Sequence, residues 1–182
     1  MHMRHILVVT GSSGAGKTAT VTALAARDIP GVRCFHFDSI GVPSPEAMER
    51  EHGSGERWQA WATGEWLARL DELPQEVRVA VLDGQTRPQF VFDAAGRAPS
   101  RRTHIVLFDC AAEVRDARLR GPRAQPELAT ERMDHWAAYL RGQADAFGIP
   151  VIDTSALTLV EASDHLERVV QRLLHFDAHG SA

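Results

Sequence analysis

The chain has 182 residues, 44% hydrophobic and 24% charged, an ordinary globular mixture that excludes disorder and is long enough to bury a core without disulfides. A net charge of −4 gives no global basic field for nucleic acid, and no apolar run reaches the ~20 residues of a membrane span. With two cysteines, Cys34 and Cys110, and no apolar leader, the composition fits a reducing, cytoplasmic setting, with a small-molecule partner, neither nucleic acid nor membrane, and a monomeric or homodimeric chain.

Apolar patterning predicts a buried strand over residues 4–10, ending in glycine, and a helix over 16–28 stopped by Pro30-Gly31. A short strand over 33–38 leads to a proline-bracketed turn and then a short helix over 46–51. Trp58, Ala62, Trp66, Leu70 and Leu73 recur at helical spacing and define a helix over 56–73, ended by Pro74. A strand over 77–82, a short helix over 88–95, a strand over 103–109 and a helix over 112–119 follow. A loop over 120–126, a long helix over 127–147, a short strand over 150–153 and an amphipathic helix over 157–176 complete the order. Alternating strands and helices, with near-continuous apolar strands, require an α/β fold: a five-stranded parallel sheet with helices on both faces. Ligands of such sheets bind beyond the carboxyl ends of the strands. Four of those five tips carry an aspartate: Asp38, Asp83, Asp109 and Asp153.

Of the 20 basic residues, 19 are arginine, and the one lysine is Lys17. It falls in Gly11-Ser12-Ser13-Gly14-Ala15-Gly16-Lys17-Thr18, which satisfies G-x-x-x-x-G-K-[S/T] between a strand and a helix. The residue types fit the chemistry of a phosphate cradle. Glycines let backbone amides turn inward, and the helix that follows points its positive end at the same oxygens. A lysine reaches the β- and γ-phosphates, and the Thr18 hydroxyl can ligate Mg²⁺. A glycine-rich turn capping a helix accounts for the glycines but not for Lys17. Asp83, at the end of an apolar strand, is a second candidate for Mg²⁺ through water, against the simpler role of capping the turn at Gly84. Asp38 is a candidate general base or acceptor-binding residue, against the role of a turn residue.

In these residues the chain resembles the P-loop small-molecule kinases: the nucleoside monophosphate kinases and their shikimate-, gluconate- and chloramphenicol-phosphorylating relatives. The motif at 11–18 lies in the first twenty residues, as in that family. Phe35-His36-Phe37-Asp38-Ser39 resembles the acceptor-side strand of the hydroxyl kinases, where an aspartate faces the acceptor. Leu82-Asp83-Gly84-Gln85-Thr86-Arg87 is similar to the Asp-Gly-x-x-Arg segment of adenylate kinases, whose arginine holds the acceptor phosphate. Arg118-Leu119-Arg120-Gly121-Pro122-Arg123 resembles the arginine-bearing lid over the donor nucleotide. The resemblance implies a single three-layer P-loop NTPase domain over 1–182, with strand order 2-3-1-4-5, acceptor-side helices near 41–73 and a short lid near 118–127. It implies ATP with Mg²⁺, catalytic roles for Lys17, Asp38, Arg87, Arg118 and Arg123, and donor contacts from residues 11–18 and Arg120. The lid is short, and the adenylate kinase spacing to a base-reading glutamine is not kept at Gln89. A hydroxyl-bearing acceptor is therefore the expectation, with a nucleoside monophosphate kinase or a non-catalytic nucleotide-binding module as alternatives.

Among the remaining residues, Trp58 and Trp66 fit a core stripe, while Trp61 lies to one side, a candidate for the acceptor pocket. His175 and His179 have i, i+4 spacing without a third ligand. Neither cysteine has a neighbouring base, which fits inert thiols.

Overall fold

A computed structural model describes residues 4–96 and 102–176. Five parallel strands, β1 (His5–Thr10), β2 (Val32–His36), β3 (Val79–Asp83), β4 (Arg102–Asp109) and β5 (Val151–Asp153), form one sheet in the order β2-β3-β1-β4-β5. This is the expected order. Seven helices connect and cover them: α1 (Lys17–Ala25), α2 (Pro45–His52), α3 (Gly55–Asp71), α4 (Pro88–Ala95), α5 (Ala112–Arg120), α6 (Glu131–Phe147) and α7 (Leu159–Phe176). No helix among the described residues is long and apolar enough to cross a membrane. His179 lies outside the described residues.

Side chains alternate across the pleat, so β1 feeds two cores. Ile6 and Val8 join Trp58, Ala62, Trp66, Leu67 and Leu70 of α3, Val91 of α4 and Leu140 of α6. Leu7 and Val9 join Val21 and Leu24 of α1 with Leu166 and Val170 of α7. Every residue of β1 is buried, as a central parallel strand between two helical layers must be. Truncating Leu67, fully buried, to Ala would cost about 2–5 kcal/mol. Arg4 ties the start of β1 to the end of α3: its guanidinium donates to the carbonyls of Val77, Leu70 and Asp71. These include carbonyls of the last helical turn, which have no helical partner of their own.

Two boundaries differ from expectation in ways that matter for the site. Strand β2 ends at His36, and Phe37–Ile40 forms a 3₁₀ turn that takes Asp38 off the strand tip. The cause is Phe37, which turns into the core against Trp58 and sits so close to Gly84 that a Cβ there would lie 2.5 Å from the phenylalanine Cβ. Ser39 Oγ donates to the His36 carbonyl at 2.7 Å and closes the turn. The predicted helix over 127–147 is interrupted: a 3₁₀ turn at Pro126–Leu128 precedes α6, which starts at Glu131 under the Thr130 cap. The connection from α5 to α6 is therefore longer and less regular than the sequence pattern implied.

Candidate phosphate and acceptor sites

The loop from Gly11 to Gly16 leaves β1 and enters α1 with three positive-φ glycines. Two have no substitute. A Cβ on Gly11 would lie 2.3 Å from the Phe108 carbonyl oxygen, and one on Gly14, at φ +81°, would lie 2.9 Å from Arg115 Cγ. The loop is thus pressed against β4 and α5 while its amides wrap inward, the geometry that collects phosphate oxygens. No acidic residue occupies the first turn of α1 to compete with an anion there. The buried Ser12 hydroxyl has no partner within the protein.

Lys17 is 5% exposed, and its Nζ donates to the Ser12 carbonyl at 2.8 Å. Burial pushes its ammonium down to about 8; Asp83 and Asp38 oppose that shift, and Arg123 adds to it. Two carboxylates and one lid arginine therefore act on the lysine head together, although the three come from separate segments of the chain. Asp83 is buried, with Oδ1 accepting from or paired to His36 Nδ1 at 2.9 Å and Oδ2 lacking any protein partner. His36 lies opposite Asp83 in the β2–β3 register, a pairing that sequence could not show without knowing which strands are neighbours. Thr18 is exposed at the start of α1, and Asp38 is exposed in its 3₁₀ turn.

The predicted lid arginines separate into different environments. Arg118 is a clamp behind the cradle: Nη1 donates to the Gly14 carbonyl at 3.2 Å and to Thr154 Oγ1 at 2.9 Å, and Nη2 donates to the Thr154 carbonyl at 2.7 Å. Thr154 Oγ1 in turn donates to the Ala15 carbonyl at 2.9 Å, so the loop after β5 holds the cradle from below. Arg120 stays near its own helix, 3.9 Å from Asp116 and half-exposed. Arg123 is exposed beyond α5 and is the lid arginine whose charge reaches Lys17. Arg115, unremarked in the sequence pattern, is buried and paired with Asp134 at 2.5 Å, joining α5 to the first turn of α6.

Beside the cradle lies a cavity of about 1040 Å³, walled by α3, the segment after β3 and α6; its lining includes Glu56, Gln59, Gln85, Arg87, Trp136 and Tyr139. Neither Asp38 nor Trp61 lines it. Trp61 is 47% exposed and stacks on His52 of α2, which corrects the expectation of a pocket wall; Trp58 and Trp66 are in the core as expected. Trp136 of α6 reaches both the core and this cavity. Arg87 is held here. Its Nη1 donates to Gln59 Oε1 at 2.6 Å, Nη2 lies 3.4 Å from Glu56 Oε2, and its guanidinium carbon is 5.0 Å from the Trp136 ring centre. Cavity and cradle share one hydrogen-bonded seam: Gln85 Nε2 donates to Ser13 Oγ at 2.5 Å, Gln59 Nε2 to the Gln85 carbonyl at 2.6 Å, and Thr10 Oγ1 to the Thr86 carbonyl at 2.6 Å. Both cysteines are free, and burial raises both thiols, Cys34 to about 11, so neither is a ready nucleophile.

No family profile matches the chain, and no curated protein is similar to it in sequence. Solved structures are similar in fold. A gluconokinase from Sinorhizobium meliloti 1021 is 21% identical, with 98% of this chain and 100% of that one covered and a TM-score of 0.61. A shikimate kinase from Acinetobacter baumannii, in complex with shikimate, is 17% identical over 95% and 94%, with a TM-score of 0.60. The Deinococcus radiodurans tunicamycin resistance protein is 18% identical over 92% and 95%, with a TM-score of 0.64. At these identities the likeness is one of fold: this chain has the α/β fold of P-loop small-molecule kinases across nearly its whole length.

Proposed function

We propose that the protein transfers the γ-phosphoryl group of ATP to a hydroxyl group of a small molecule. The observation that carries this reading is Lys17: an ammonium buried in a glycine cradle at the start of α1, with two carboxylates and Arg123 of the loop after α5 acting on it. A buried cation held by only one carbonyl is a site awaiting anionic oxygens. The fold likeness to proteins named as kinases of gluconate and shikimate supports phosphoryl transfer.

Magnesium fits the residues present. Asp83 Oδ2 is a buried carboxylate oxygen without a protein partner, and the Thr18 hydroxyl is exposed at the neighbouring helix start. Among the described residues no three His, Cys, Asp or Glu side chains cluster as a cage. Such a site suits an ion that takes few protein ligands and completes its shell with phosphate oxygens and water. When bound there, Mg²⁺ supplies neutralisation of phosphate charge. The amides of residues 11–16 and Lys17 hold the β- and γ-phosphates. The acceptor oxygen attacks the γ-phosphorus, the bond from that phosphorus to the β–γ bridging oxygen breaks, and the acceptor proton passes to the Asp38 carboxylate, which is open to solvent and can return it to water. Arg123 closes from the loop after α5 to meet the charge that spreads over the transferring group.

ADP release measured with ATP, Mg²⁺ and panels of nucleotides, sugars, sugar acids and hydroxylated ring compounds tests the reading. Asp38→Asn keeps size and hydrogen bonding but removes the base, so turnover should fall about a hundredfold or more with acceptor binding little changed. Near-normal turnover in that variant refutes the base. The rival reading is a nucleoside monophosphate kinase, in which Arg87 on the cavity wall would meet the acceptor phosphate; efficient phosphorylation of AMP, CMP, GMP or UMP would establish it. Lys17-dependent nucleotide binding with no acceptor found in any panel would instead favour a regulatory module.

A further inference from the structure

The charges and surfaces of the cavity beside the cradle restrict what it can hold. The one cation deep in its wall, Arg87, is already engaged. Gln59 and Glu56 take two of its five donors, the second at 3.4 Å to an exposed carboxylate, and the rings of Trp136, Phe90 and Tyr139 lie 5.0, 5.3 and 5.9 Å from its guanidinium carbon. Two carboxylates, Glu56 and Glu127, and two guanidiniums, Arg87 and Arg132, line the space with His135, so its formal charge sums to zero with the histidine counted neutral. A carboxylate or phosphomonoester reaching Arg87 here would meet the Glu56 carboxylate beside it and the Glu127 carboxylate on the same lining. That is the arrangement by which a site rejects an anion. What the cavity offers without rearrangement is flat surface. Trp136 and Tyr139, three residues apart on α6, stack with ring centres 5.4 Å apart and planes 15° from parallel, and both line the cavity. Gln59 and Gln85 add neutral amides. At about 1040 Å³ the space exceeds what a small sugar acid fills.

We infer that the acceptor is an uncharged, hydroxyl-bearing molecule with a flat conjugated ring, seated on the Trp136–Tyr139 wall. The inference rests on the reading of this cavity as the acceptor site of a kinase. Arg87 then serves as part of that wall and as a fixed positive charge toward the phosphate side, not as an anchor for an acceptor anion.

The test uses matched probes on the full chain saturated with ADP: adenosine against AMP, phenyl β-D-glucoside against phenyl β-D-glucuronide, and methyl β-D-glucoside as the ringless control. Binding is read by saturation-transfer NMR and titration, and ADP release is read in parallel with ATP. The neutral member of each pair should bind about tenfold or more tighter than its anionic twin, and phenyl glucoside should outbind methyl glucoside by a similar factor. Trp136→Leu should remove the preference for a ring, while Trp136→Phe, which keeps a stacking face and guards against a folding defect, should retain most of it. Tighter binding of the anionic twins, equal binding of the methyl and phenyl glucosides, or no binding by any probe overturns the inference. Ring-dependent, Trp136-dependent binding with no ADP release sustains the ligand class and removes the kinase reading, so the two failures remain distinct.

Discussion

The depressed Lys17 ammonium makes nucleotide binding a proton-coupled event in a window where little else at the site titrates. Burial lowers this group from 10.5 to about 8 in the free protein. A triphosphate supplies the negative charge that burial leaves uncompensated and should return the ammonium to at least its ordinary value. If so, binding above pH 8 must take up a proton, and the dissociation constant should rise about twofold at pH 8, tenfold at pH 9 and thirtyfold at pH 9.5 relative to pH 7. Cys34, raised by burial to about 11, keeps its proton in this range, and burial raises Cys110 as well; Lys17→Ala separates the lysine from the thiols. Calorimetric titration with a non-hydrolysable ATP analogue in EDTA, repeated in two buffers of different ionisation enthalpy, measures both the affinity and the protons taken up. Lys17→Ala should bind weakly at every pH and show no uptake in that range. The sign for stability is opposite in sense to that of a paired lysine. Between pH 8 and 10.5 the unfolded chain holds the extra proton on Lys17, so this one group contributes stability that rises with pH, recovering about 3 kcal/mol that its buried charge costs at neutral pH, while the two raised thiols act in the opposite direction above about pH 9; the Lys17 part is read as the difference between the protein and Lys17→Ala. A flat affinity from pH 7 to 9.5, with no proton uptake, would refute the argument that Lys17 is buried and uncompensated in the free state.

Gly14→Ala should abolish the thermal shift given by nucleotide, because its φ of +81° and the Arg115 side chain at 2.9 Å leave no room for a methyl group; a full shift would show that the cradle tolerates rebuilding. Arg118→Ala and Arg123→Ala should separate. Loss of the Arg118 clamp leaves the Gly14 and Thr154 carbonyls short of donors and should lower the melting temperature and nucleotide affinity together, by about 1–3 kcal/mol in stability. Loss of Arg123 should lower kcat about a hundredfold or more with the melting temperature unchanged. Asp134→Ala, which leaves buried Arg115 without its half-exposed carboxylate partner, should destabilise by about 1–3 kcal/mol, read by denaturant unfolding.

The sheet was legible because four of its strands, β1, β3, β4 and β5, end in aspartate or threonine after apolar residues, and because Gly11–Thr18 fixes where the first crossover turns. Lys17 was legible from composition alone, as the one lysine in an arginine-using chain. What the pattern could not carry was lateral contact. His36 reads as an unremarkable strand residue until β2 is known to lie beside β3, which sets it on Asp83. Thr154 reads as a strand-end hydroxyl until β5 is known to end beneath Ala15. Asp38 was placed on a strand tip because Phe37 continues the apolar alternation; the side chain instead turns inward against Gly84, and the chain curls there. The sequence reads all three lid arginines as facing the donor nucleotide, because their helical phase relative to the cradle depends on how α5 packs, and that packing puts Arg118 behind the loop and Arg120 along the helix.

The use of arginine at almost every basic position has a structural counterpart. Arg4 spans carbonyls at the end of α3, Arg118 joins Gly14 to Thr154, and Arg115 joins the Cys110 carbonyl to Asp134. In each case one planar group with several fixed donors bridges acceptors from different segments, a task for which an ammonium has the wrong shape. These bonds are permanent features of the fold, and their value lies in not being exchanged. Lys17 has the opposite requirement. It makes one hydrogen bond, 2.8 Å to a carbonyl of its own loop, and must give it up when phosphate oxygens arrive. A compact charge on a flexible stem can turn from Ser12 to a ligand without unpicking a network; a guanidinium bonded on two sides could not. The same reasoning makes Lys17→Arg a severe substitution in a chain where Arg is otherwise the default cation, and it assigns the arginines of the cradle to holding shape and the lysine to meeting the phosphate.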